Sequence, residues 1–88
     1  MVETQVLIRT GVGLHARPAA ALVGEARRHA CALRLECGGR AADAKNILQV
    51  LALGVKDGEV VHIRAKGEGE RQALDALLGV LKAVSDGV

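Results

Sequence analysis

Val2, Thr4, Val6 and Ile8 alternate with Glu3, Gln5, Leu7 and Arg9, a period of two that predicts a half-buried strand, and Gly11 and Gly13 end it. The period then changes. Ala19, Leu22, Val23, Ala26 and Ala30 recur at helical spacing, which predicts a first helix over roughly 16–28. Pro18 falls in its first turn, where a missing N–H does little harm. Cys31, Leu33, Leu35 and Cys37 alternate with Ala32, Arg34 and Glu36, and Gly38-Gly39 turns this second strand into a weaker one at Arg40–Asp43. Asn46 is placed to cap a short helix over 47–53, with Gly54 at its end. Lys56-Asp57-Gly58 marks a further turn, after which Val61, Ile63 and Ala65 alternate with Val60, His62, Arg64 and Lys66. In the last segment Leu74, Leu77, Leu78, Leu81 and Val84 form an apolar helical stripe, with Glu70 near its start and Lys82 near its end, as the helix dipole prefers.

The order is therefore βαββαβα, in one domain spanning 1–88. Strands with one apolar face imply an antiparallel sheet, and three helices are available to cover that face. The expected fold is a two-layer, open-faced α/β (α+β) sandwich with a four-stranded sheet. Arg34, Glu36, His62 and Arg64 should face water on the uncovered side.

Composition narrows the chemistry. Among 88 residues, 50% are hydrophobic and 25% charged, ordinary for a globular chain, and no apolar run approaches the roughly 20 residues of a membrane helix. The first residues lack the basic stretch and apolar core of a signal peptide, so the cytoplasm is expected. A net charge of +2 and no aromatic residue at all argue against nucleic acid as a partner. Cys31 and Cys37 on one extended strand would lie roughly 20 Å apart, well beyond the bridging limit near 7 Å. They are expected to be reduced core thiols.

The segment Gly13-Leu14-His15-Ala16-Arg17-Pro18-Ala19-Ala20 sets a histidine and an arginine where a helix should begin. The first N–H groups of a helix have no partner within it and, with the aligned peptide dipoles, favour an anion such as phosphate. A neutral imidazole is a competent nucleophile near neutral pH, and the guanidinium of Arg17 suits phosphoryl oxygens. This reads His15 as a phosphorylatable histidine and Arg17 as its anion clamp. The plainer alternatives are that His15 only caps the helix and that Arg17 is a solvated surface charge. His29, beside Arg27 and Arg28, and His62, outward on a strand, have no metal-ligand partner at useful spacing, so no metal or cofactor is expected.

The second helix carries too many large apolar residues for its length. At about 100° per residue, Ile47, Leu48 and Leu51 project to one side and Val50 and Leu53 to nearly the opposite one. Both sets cannot face the core. Ile47, Leu48 and Leu51 should stay exposed as a docking patch, unless a neighbouring loop covers them. On the first helix the same arithmetic leaves Ala16, Ala20, Gly24 and Arg27 beside the core stripe, small enough for the most part to let a partner approach His15.

GLHARPAA, then Ala44-Lys45-Asn46-Ile47-Leu48, Leu53-Gly54 and the Gly67-Glu68-Gly69-Glu70 lead into the last helix together resemble HPr, the histidine-containing phosphocarrier family of the bacterial phosphotransferase system. The likeness covers essentially the whole chain. It implies strand order 1-4-2-3, and a covalent relay in which His15 takes a phosphoryl group on Nδ1 from phosphorylated enzyme I and passes it to a sugar-specific acceptor domain. Positions matching the docking residues contact enzyme I and the acceptor domains in that family, with regulatory proteins as further partners. A monomeric carrier without cofactor, rather than an independent catalyst, is the expectation. Two departures stand out. Many relatives carry at position 46 a serine that a kinase phosphorylates, where this chain has Asn46, and Val12 replaces a usually polar residue before Gly13. The rival readings are the same chemistry in a nitrogen-related or kinase-linked regulatory branch, and a non-catalytic module that binds a regulator through the second helix.

Overall fold

The computed structural model describes residues 1–11 and 13–86, and the elements follow the predicted order. They are β1 (Val2–Leu7), α1 (Ala16–Ala26), β2 (Ala32–Cys37), β3 (Arg40–Asp43), α2 (Ile47–Ala52), β4 (Val60–Lys66) and α3 (Glu70–Asp86). The sheet is four-stranded and antiparallel in the order β1-β4-β2-β3. The three helices complete an open-faced sandwich. The long helix α3 lies against β1, β4 and β2, α1 packs on α3 and α2, and α2 packs on β3.

Register decides which side chains meet. Val6 stands opposite Val61, Thr4 opposite Ile63 and Leu35 opposite Ile63, so the inward rows of β1, β4 and β2 form one apolar surface. Ile8, Leu22, Leu35, Ile63, Leu77 and Leu81 are buried at its centre. Cys31 and Cys37 belong to the same core as free thiols. On the uncovered face Arg64 lies opposite both Glu3 and Arg34. Like charges directly opposite are unfavourable, and Glu36 relieves the pair, 3.2 Å from Arg64 and 3.7 Å from Arg34. Arg34 and His62 are exposed, whereas Glu36 and Arg64 are only half-exposed because they lie across one another.

The chain departs from the predicted pattern at several element ends. α1 stops at Ala26, not 28, because the N–H groups of Arg28 and His29 turn back to the carbonyls of Glu25 and Ala26, three residues behind, and tighten the chain out of the helix. Ala30, the last member of the predicted stripe, is therefore beyond the helix and exposed. α3 runs on to Asp86, which leaves Lys82 outside its last turn and removes the expected dipole contact. In its apolar stripe Leu74, Leu77 and Leu81 are buried and Leu78 half-buried; the side chain of Val84 lies outside the described residues, as does Val12. At the other end of α3, the Gly67 N–H donates to Glu70 Oε1 at 3.1 Å, and this bond holds the Glu70 carboxyl below the usual carboxylate range.

Burial separates residues that hold the fold from those that do not. Leu77→Ala should cost about 2–5 kcal/mol, the range for truncating a buried leucine, whereas Leu48→Ala, at a side chain 75% exposed, should leave stability nearly unchanged. Urea denaturation of the two variants measures the contrast.

Candidate functional site

The Thr10–Leu14 connection has almost no side-chain chemistry of its own. Gly11, Val12, Gly13 and Leu14 carry no polar side chain, so its shape comes from backbone contacts and from groups outside it. Gly13 has φ +76°, and a Cβ there would press on the Val55 carbonyl and stand 2.9 Å from Lys56 Cα. Only glycine fits. That close approach lets the Leu14 N–H donate to the Val55 carbonyl at 3.0 Å while the Leu14 side chain is buried. Thr10, itself buried, donates its hydroxyl to the Gly13 carbonyl at 2.7 Å, and the Gly11 N–H donates to Asp57 Oδ1 at 2.9 Å. The turn before β4 is laced to the end of β1 as well, with the Gly58 N–H on the Ile8 carbonyl at 2.7 Å and the Ile8 N–H on the Glu59 carbonyl at 2.9 Å.

His15 emerges from this anchored loop as the N-cap residue of α1, with extended backbone angles of φ −88° and ψ −171°. Its carbonyl accepts from the Ala19 N–H at 3.0 Å, but its imidazole makes no capping hydrogen bond. The ring is exposed. Arg17, also exposed, lies in the first turn. The donors available there can be counted from the helix geometry. Ala19 is engaged with His15 and Pro18 has no N–H, which leaves the amides of Ala16 and Arg17 without an acceptor in the helix ladder, beside the Arg17 guanidinium.

The predicted docking residues separate into three groups. Leu48 and Leu51 are exposed, 75% and 38%, on α2, while Val50 and Leu53 are buried beneath them. Asn46 caps this helix, accepting from the Gln49 N–H at 3.1 Å. Ile47 is corrected: it is half-buried and packs against the core, because at about 100° per residue it lies only about 60° from the buried Val50 three residues on. Ala16, Ala20 and Gly24 are exposed on α1, with no atom within 4 Å of where a Gly24 Cβ would be. Arg27 is exposed too, yet its Nε donates to the Lys45 carbonyl at 2.9 Å and ties α1 to the segment entering α2. It is a strut between the two helices as well as a surface cation.

The other histidines are placed elsewhere. His29 Nε2 lies 2.9 Å from Glu25 Oε2 at the end of α1, and His62 stands on the uncovered sheet face opposite Gln5 and Glu36. Among the described residues no cluster of His, Cys, Asp or Glu could hold a metal ion, and no helix is long and apolar enough to cross a membrane. Burial, reinforced by the Glu59 carboxylate, pushes the Cys37 thiol up, so it stays protonated near neutral pH and is a poor nucleophile. A concavity of about 520 Å³ opens on the uncovered sheet face among Arg34, Asp43, Arg64 and Lys66, and His15 does not line it. The His15 loop is a surface site.

A two-layer fold of this order, with an unshielded histidine at the head of its first helix, is the architecture of a small protein-borne group carrier. The family model described as the PTS HPr component phosphorylation site matches residues 2–83, and the chain belongs to the HPr phosphocarrier family, whose members are carriers rather than independent catalysts. The phosphocarrier protein HPr of Mycoplasma pneumoniae is 36% identical over 83 residues, covering 93% of this chain and 94% of the relative. The HPr-like protein Crh of Bacillus subtilis is 42% identical over 77 residues, covering 88% and 91%. A crystal structure of HPr from Thermoanaerobacter tengcongensis superposes with a TM-score of 0.91 at 34% identity, covering 98% of this chain and 97% of that one. Another from the same bacterium, at 35% identity, TM-score 0.75 and coverage of 94% and 95%, is of an HPr dimer.

Sequence reasoning missed the Gly11–Asp57 hydrogen bond, the Thr10 hydroxyl and the Arg27–Lys45 strut. Lys56-Asp57-Gly58 signalled only a turn, and nothing local indicates that it meets a loop 46 residues earlier. The glycine lock has a direct test. Gly13→Ala should destabilise by more than about 1–2 kcal/mol, the cost of forcing a Cβ into the left-handed region, because backbone must also move. Gly24→Ala, in open helix, should stabilise by about 0.5–1 kcal/mol. Thermal and chemical denaturation read both.

Proposed function

We propose that this chain is a phosphoryl relay in the phosphotransferase system, taking a phosphoryl group from phosphorylated enzyme I onto His15 and delivering it to a sugar-specific acceptor domain. One observation carries the reading: an exposed imidazole without a capping hydrogen bond, at the head of a helix, on a loop pinned by Gly13. Attack through Nδ1 requires its lone pair to be free, so the ring proton resides on Nε2. The bond from phosphorus to the donor breaks as the bond to Nδ1 forms, and the second transfer reverses these roles at the acceptor. The amides of Ala16 and Arg17 and the Arg17 guanidinium supply positive potential where the phosphoryl oxygens gather.

Donor and acceptor have to use one surface in turn. Leu48 and Leu51 on α2, with Ala16, Ala20, Gly24 and Arg27 on α1, offer a shallow apolar platform with a basic rim next to His15; Ile47 supports it from beneath. We take residues 1–88 to act as a single domain, as a monomer, in the cytoplasm. Control by a kinase at the head of α2 should be absent, since Asn46 has no hydroxyl and its side-chain oxygen is spent on the Gln49 N–H. The similarity to Crh, the catabolite repression HPr of Bacillus subtilis, supports a second reading in which this chain serves a regulatory branch. Acceptor domains of each class, offered to the phosphorylated protein, separate the two.

Incubation with enzyme I, Mg²⁺ and phosphoenolpyruvate should add one acid-labile phosphate by intact mass, the Mg²⁺ serving enzyme I, and His15→Ala should take up none while remaining folded. Label retained in that variant, or stable in acid as a serine ester is, would overturn the proposal. Leu48→Glu or Leu51→Glu should slow transfer at least about tenfold, equivalent to about 1.4 kcal/mol of transition-state stabilisation, with little change in melting temperature. If either variant unfolds, or both transfer normally, the docking surface lies elsewhere.

A further inference from the structure

The His15 loop must be held in one shape, and its own residues offer few means. From Gly11 to Leu14 there is no polar side chain. Backbone contact with Val55 fixes the end nearest His15. The start of the loop is fixed differently, by the Asp57 carboxylate, whose Oδ1 accepts from the Gly11 N–H at 2.9 Å across 46 residues of sequence. Asp57 sits in a turn that closes without it. The Lys56 N–H donates to Glu59 Oε1 at 2.7 Å, the Glu59 N–H to the Lys56 carbonyl at 3.1 Å and the Gly58 N–H to the Ile8 carbonyl at 2.7 Å. The exposed Asp57 side chain contributes little to the core, so the fold itself makes small use of its carboxylate.

We infer that Asp57 is a positioning residue for phosphoryl transfer, acting through Gly11 to hold the loop that presents His15. A glycine at the loop's start is otherwise the residue with the most conformational freedom on the path to His15, and a charge-assisted bond to its amide is the strong form of restraint at an exposed site. Loss of that bond frees Gly11 beside Thr10, whose hydroxyl braces the Gly13 carbonyl, and so loosens the Gly13–Leu14 anchor from which His15 emerges. The imidazole then samples orientations that do not match the donor, and the rate falls through geometry rather than through chemistry.

The inference rests on the relay reading, and the experiment separates the two. Asp57→Ala and Asp57→Asn are compared with wild type as phosphoryl acceptors from enzyme I, while the Gly11 amide is followed by NMR for its shift and its exchange with solvent. Asp57→Ala should lower the transfer rate about tenfold, the loss expected on removing one hydrogen bond to a charged group. It should also expose the Gly11 amide to exchange and leave the melting temperature within a degree or two. Asp57→Asn keeps an acceptor oxygen in the same place without the charge, and should recover most of the rate and of the amide protection. Wild-type transfer in Asp57→Ala, or a loss shared equally by Asp57→Asn, would overturn the positioning role, as would a large fall in melting temperature. Failure of wild type to accept phosphate would overturn the relay reading, and the Gly11 amide would still report whether Asp57 holds the loop.

Discussion

A steric contact between two backbones governs the site: Gly13 rests so closely on the Val55–Lys56 segment that no side chain can be accommodated between them. The Leu14–Val55 hydrogen bond can form only at that separation, and with Leu14 buried it leaves His15 as the N-cap of α1. The direction in which the imidazole leaves the molecule thus depends on a contact made by a residue with no side chain. Because Val55 follows α2 and precedes β4, the same contact ties the histidine to the helix that carries Leu48 and Leu51. On the relay reading, reactive atom and docking patch share one anchor.

That patch exists because α2 is too short and too apolar to satisfy both its faces. A six-residue helix can bury one side, and Val50, continued by the C-cap Leu53, takes it. Leu48 remains in water, at a cost that a chain selected for stability alone would avoid. Asn46 makes so short a helix viable by capping its first turn, and the Arg27–Lys45 bond fixes its start relative to α1. Ile47 shows the limit of angular arithmetic. Grouped with Leu48 and Leu51 it is assigned to the exposed side, yet it lies only about 60° from Val50 on the wheel and sits at the border between the two faces.

Most of the fold was legible because its signals are local. Alternation of Cys31, Leu33, Leu35 and Cys37 or of Val61, Ile63 and Ala65 needs no knowledge of the partner strand, and Asn46 and Gly54 mark a helix by their own chemistry. Strand order is non-local, and periodicity alone does not yield it; resemblance to a known family did. The helix end at Ala26 is hidden in the sequence because the hydrophobic period continues through Ala30 while the backbone has already turned, and alanine is small enough to be apolar in pattern and exposed in fact. At the site, His15 and Arg17 could be read from one segment. Asp57 and Arg27 act across the fold and Thr10 within its own loop, all on backbone groups rather than on charged partners, and they leave no pattern in the chain.

An enzyme active site usually gains from concavity, because excluding water strengthens the electrostatics that stabilise its transition state. His15 does not line the concavity on the uncovered sheet face and is exposed at the head of α1, a placement that suits an intermediate handled by others better than a catalyst. A carrier must hand the same atom to two unrelated proteins, so it cannot enclose that atom. On the relay reading its partners would supply the closed environment, and its own task would reduce to a rigid loop, a few free donors at a helix head and a small apolar platform beside them. Rigidity here comes from Gly13 packed on backbone, from Leu14 buried in the core and from hydrogen bonds that cross from one loop to another. None of these occupies the space around His15, and that is why the loop can be fixed and the imidazole accessible at once.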